Sequence, residues 1–179
     1  RMSITAFENM VSTAERRLLI THDTKTSIRM SDFLGIITAI NGKIELVYEG
    51  EQEGAVEVAY HLISSAIKSL FPLYFPKIEK LEKPNEEGPY DQLLAWFFKE
   101  NELFLEDISD EKNHQKSLDS IPAIQKIMNE YQSELDLEDY YFMVEFLLWG
   151  LEAHQKLNKL RTFEGIQFKD SLGSFINRL

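Results

Sequence analysis

Apolar residues return at helical spacing along most of this chain, and the breaks between those stripes divide it into elements. Ile4, Phe7, Val11, Ala14 and Leu18 share one side of a helix, with Ser3 placed to cap it and Glu8, Glu15, Arg16 and Arg17 on or near the other side. The polar run from His22 to Ser27 ends it, as a loop without glycine. A second helix is predicted over Ser31 to Ile40, burying Phe33, Leu34, Ile37 and Ile40 and stopping at Asn41-Gly42. Ile44, Leu46 and Tyr48 alternate with polar neighbours, but no second strand-like run offers itself as a partner, so this stretch reads as an extended connector. A strong helix then carries Val56, Tyr60, Ile63, Ile67, Leu70 and Phe71 and ends at Pro72 and Pro76.

The segment Lys77 to Pro89 is charged and without periodicity, and it marks a junction between residues 1–84 and 85–179. Beyond it, Tyr90, Leu93, Leu94, Phe97 and Phe98 form an amphipathic helix, and Glu102 to Ser117 reads as loop with a short helical piece. Pro122 opens a helix with Ile124, Ile127, Met128 and Tyr131. The stretch holding Leu137, Tyr141, Val144, Leu147, Leu148 and Leu151 is apolar nearly all round, as a central buried helix is. After Lys156 to Phe168, Leu172, Phe175, Ile176 and Leu179 predict a last short helix. The expectation is an all-α, multi-helix bundle.

Composition narrows the chemistry. Hydrophobic residues make up 44% and charged residues 27%, which is a globular balance. Thirty acidic against nineteen basic residues give a formal charge of −11, the wrong sign for a nucleic-acid phosphate surface. The absence of cysteine removes disulfides, thiolate catalysis and Cys-based metal sites, and suits a cytoplasmic protein. No apolar run has membrane-spanning length, and the N-terminus lacks a signal pattern. Arg1 stands before Met2, which suggests that residues precede it.

Three phrases resemble the helical C-terminal region of magnesium-chelatase-like AAA+ ATPases, relatives of the MoxR group. They are RMSITAFENMVSTAERR at Arg1 to Arg17, SIRMSDF at Ser27 to Phe33 followed by GKIELVYEGEQEG from Gly42 to Gly54, and GLEAHQKLNK with FKDSLGSF near the end. The resemblance touches most of the chain and is weak from Lys77 to Ser133. It implies a lid-like part over residues 1–84 and a helical extension over 85–179 packed on it. It also implies an upstream P-loop module in the same chain, a ring homo-oligomer at full length and a von Willebrand factor A-type protein partner. ATP and Mg2+ would then belong to the full-length protein. No G-x-x-x-x-G-K-[ST] pattern occurs in these residues, so they are not expected to hydrolyse ATP by themselves. Lids of such ATPases present an arginine to the γ-phosphate, where a permanently charged fork suits phosphate oxygens. By position in the resembling phrases, Arg1 is the first candidate for that sensing role and Arg29 the second. Arg16 and Arg17 read as a solvated or subdomain-facing pair.

Other chemistry is weaker. Glu45, Glu49, Glu51 and Glu53 read as a solvated acidic loop, since glutamates on an extended segment diverge instead of converging on a cation. His22, His61, His114 and His154 are scattered, and Glu57 with His61 lacks the second histidine of a zincin motif. No metal site and no catalytic residue is assigned. The aromatic stripe from Tyr140 to Trp149 reads as core, or as a docking face wherever it stays exposed. The alternative to the lid is a helical interaction scaffold with no nucleotide role.

Overall fold

The computed structural model describes residues 2–40, 54–78 and 88–171. Helix α1 (Met2–Thr21) ends at His22, which adopts φ 58° and so takes the left-handed position usually given to glycine. The chain returns along α1 through a 3-10 helix (Met30–Gly35) that runs into the short helix α2 (Ile36–Ile40). Helix α3 (Ala55–Leu70) leads into a 3-10 turn at Phe71–Leu73, where Pro72 stops it. Then come α4 (Asp91–Phe98), β1 (Leu103–Glu106), α5 (Glu111–Asp119), α6 (Pro122–Tyr131), α7 (Leu137–Ala153), β2 (Leu157–Arg161) and β3 (Gly165–Asp170). The caps follow from the sequence. Asp110 accepts from the Asn113 N–H at 2.8 Å to open α5, Pro122 stands in the first turn of α6, and Asp136 accepts from the Glu138 and Asp139 N–H groups to open α7.

The all-α expectation is overturned by a three-stranded antiparallel sheet in the order β1-β3-β2. Leu103 faces Phe168 and Leu105 faces Ile166 across β1 and β3, while Leu157 faces Asp170 and Arg161 faces Ile166 across β2 and β3. Leu103, Leu105, Leu157, Ile166 and Phe168 are buried on one face. The all-α reading failed for two reasons: β1 finds its partner some 60 residues downstream, and the β2–β3 hairpin turns through only residues 162–164, inside a stretch that the sequence left as a connector. Gly165 is required at that ladder, because a Cβ there would stand 2.1 Å from the Leu105 carbonyl oxygen. The alternating stretch at 44–48 and the predicted helix over 172–179 lie outside the described residues.

Helix α7 is the axis of the molecule, as its all-round apolarity predicted. Every residue from Met143 to Leu151 is buried. Met30, Ile67, Phe71, Phe97, Ile124, Leu147, Trp149 and Phe168 belong to one continuous core, which draws side chains from both sides of residues 79–87. Phe71 makes the tightest crossing. Its ring lies over Gly150 of α7 and within 6.0 Å of Phe146 and 5.6 Å of the His154 ring. Strand β2 is tied to the same helix by Lys159, whose Nζ sits 3.6 Å from the Trp149 ring centre and 2.9 Å from Glu152 Oε2. Among the described residues no helix is long and apolar enough to cross a membrane.

Candidate functional site

Two features stand out from ordinary packing: a buried polar cluster that fixes the N-terminal hairpin to the core, and an apolar groove beside it. The cluster begins on α1. Arg17 is only 4% exposed, while its neighbour Arg16 faces solvent. Its guanidinium donates Nη1 to Asp32 Oδ1 at 2.5 Å and Nη2 to Asp32 Oδ2 at 3.0 Å, a bidentate fork, and Nη2 also donates to the Ser27 carbonyl at 2.8 Å. Asp32 is itself placed by the 3-10 helix, whose entry it closes by accepting from the Arg29 N–H at 2.8 Å.

Arg29 continues the chain of contacts in the other direction. At 2% exposed, it donates Nη1 to Ser109 Oγ at 3.1 Å and Nη2 to the Ser109 carbonyl at 3.0 Å and to Glu111 Oε2 at 3.3 Å. Burial first, then the nearby Arg17 charge, lowers its pKa from the usual guanidinium value, and Glu111 and Glu145 pull the other way. Glu111 also accepts from Ser27 Oγ at 3.1 Å. One residue on, the Met30 N–H donates to Glu145 Oε2 at 3.0 Å, and Glu145 Oε1 lies 2.8 Å from His114 Nε2. The other ring nitrogen of His114, Nδ1, is buried without a hydrogen-bond partner. Glu145 is thus a buried acid in the middle of α7, with one oxygen accepting from the N-terminal hairpin and the other in hydrogen-bond contact with His114 of α5.

Chemically this cluster is a set of ties. Each carboxylate is opposed by a cation or an N–H donor, and among the described residues no group of three or more His, Cys, Asp or Glu side chains is arranged to hold a metal ion. Arg29, a candidate for phosphate sensing, has its fork engaged with protein groups as placed, and Arg1 lies outside the described residues. So do Glu45, Glu49, Glu51 and Glu53. Glu57 and His61 are exposed on α3, and His22, His114 and His154 lie in three separate environments. Sequence reasoning missed Ser109, Glu111 and Glu145 altogether. A glutamate in the middle of the most apolar helix was the one visible signal, since an acid there needs partners.

The groove has a cavity volume of about 610 Å³ and lies between α3, the 3-10 helix with α2, and the N-terminal half of α7. Its three walls are Leu62, Ala66 and Leu70 on α3, Phe33 and Ile36 on the 3-10 helix and α2, and Phe142 on α7. The aromatic stripe of α7 therefore divides, with Phe146 and Trp149 buried in the core and Phe142 half-buried in the groove wall. Compared with protein-family profiles, with curated proteins and with solved structures, the chain matches none.

Proposed function

We propose that this chain is the C-terminal lid-and-extension region of a magnesium-chelatase-like AAA+ ATPase. In that role it closes on nucleotide held by an upstream P-loop module and couples ATP hydrolysis to remodelling or metal-insertion work in the cytoplasm. One observation carries the reading beyond resemblance of sequence. The first two resembling phrases interlock, Arg17 closing the first and Asp32 sitting within the second, joined by a buried fork. Arg29 and Met30 tie the same hairpin to α5 and α7, so in closing it would move together with the extension as one body. ATP, Mg2+, ring assembly and a von Willebrand factor A-type partner belong to the full-length protein in this proposal, and Arg1 remains the arginine to test.

The experiment is ATP turnover by the protein extended to include the upstream module, with and without Arg1→Ala. Turnover that falls about tenfold or more in the folded variant supports the reading and the sensor role together. Equal turnover removes Arg1 from that role, and a gene that supplies no phosphate-binding module upstream overturns the lid. The groove favours a second reading, a helical interaction scaffold with no nucleotide role.

A further inference from the structure

We propose that the groove between α3, α2 and α7 is a docking site for an amphipathic helix of another protein with cationic residues at one end. The inference stands under either reading of the function, because it needs no nucleotide.

Its shape argues for a helix. Leu62, Ala66 and Leu70 recur every fourth residue along α3, about 6 Å apart along the axis, and Leu62 and Leu70 are still 50% and 47% exposed. A single half-exposed leucine is ordinary, but three walls of apolar side chains facing one trough are not. Ala66, exposed at the middle of the stripe, is the low point where another backbone can come close, with a leucine on either side. That is the form that receives apolar residues at i, i+4 and i+7. A strand is excluded as occupant, because all three walls are helical and offer no free row of N–H and C=O groups to pair with. A small polar ligand is disfavoured for a different reason. The lining holds one charged side chain, Asp139, and no converging set of polar groups.

Charge argues for the cationic end. Asp139 lines the mouth at the start of α7, and Glu134, Asp136 and Glu138 stand exposed beside it. Glu138 is paired with Lys25, and the other three carboxylates outweigh that one cation. The whole chain carries −11, which steers basic partners in and repels a second copy.

The test uses the full chain and two designed, dye-labelled peptides of about 18 residues, each with leucines on one face at i, i+4 and i+7. One carries lysines at one end and the other glutamates in their place, and fluorescence anisotropy reads binding. The lysine peptide is expected to bind saturably, and the glutamate peptide about tenfold or more weakly. Ala66→Arg, at an exposed position, should weaken the lysine peptide by tenfold or more without lowering the thermal midpoint, and Asp139→Lys should weaken it several-fold. If Ala66→Arg fails to fold, Leu70→Glu takes its place. Absence of saturable binding, equal binding of both peptides, or no effect of the groove substitution overturns the proposal. So does a dimer in sedimentation that Ala66→Arg makes monomeric, which assigns the groove to a second copy. Binding that appears only in a chain ending at Ser171 assigns it to this chain's own last residues, and also overturns the proposal.

Discussion

Arg17 and Asp32 are each nearly sealed from water, so neither can lose the other without leaving a stranded charge. Arg17→Met should therefore cost about 3–5 kcal/mol, read as a lowered urea midpoint at unchanged slope. The double variant Arg17→Met/Asp32→Leu should recover most of that loss. The remainder should be about 2 kcal/mol, from the Arg29 N–H that Asp32 also serves and the Ser27 carbonyl that Arg17 serves. If the double variant is no better than the single, the fork is not what the single substitution broke. His154 supplies a second test at this scale. Burial first, then the Lys68 charge, lowers its pKa below the ordinary 6.5. The unfolded chain therefore takes up the proton first as pH falls, so the stability linked to this group is complete above about pH 6.5 and is lost below it. His154→Gln should remove that share, leaving a smaller drop in urea midpoint between pH 7.5 and 5.5 than the parent shows. Of these residues the sequence disclosed only part. Arg17 was legible only as half of a solvated or subdomain-facing pair with Arg16, not as a buried residue. Its partner, fifteen residues later across a loop without periodicity, was not.

The elements divide by how local their cause is. Helix α7 was legible because large apolar residues on nearly every side over its length leave few alternatives. The strands were not. β1 offers four residues with two buried positions, and what makes it a strand is a ladder to residues 165–168. Propensity has little to say over four residues when the deciding contact is so far away. The crossing of α7 with the end of α3 gives a prediction of its own. A glycine inside a helix is a weak choice by about 1 kcal/mol relative to alanine, yet Gly150→Ala should destabilise the protein. The new Cβ would lie 2.0 Å from Cδ2 of the fully buried Phe71 ring, so ring or helix must shift. A net loss of about 1–3 kcal/mol in equilibrium unfolding is expected. A neutral or stabilising result would mean the two helices can part at little cost.

At the scale of the whole molecule, charge and the missing phosphate-loop pattern were visible in the sequence, because both are properties of composition and motif. The groove was not, because it is made where three helices fail to close over one another, and each wall by itself looks like an ordinary amphipathic face. The same limit hid the Glu145 tie, which joins three elements through a carboxylate that reads in the sequence only as an anomaly. The order β1-β3-β2 reaches further, into how the chain is made. Synthesis delivers the strands as edge, edge, centre. Leu103 and Leu105 leave the ribosome long before Ile166 and Phe168, and β2 also precedes the strand that unites them. A nascent chain that has reached α7 has most of its helices and no sheet at all, with the apolar side of β1 still waiting for the strand that covers it. Translation speed between residues 107 and 165 thus sets how long that side stays open to other nascent chains and to chaperones.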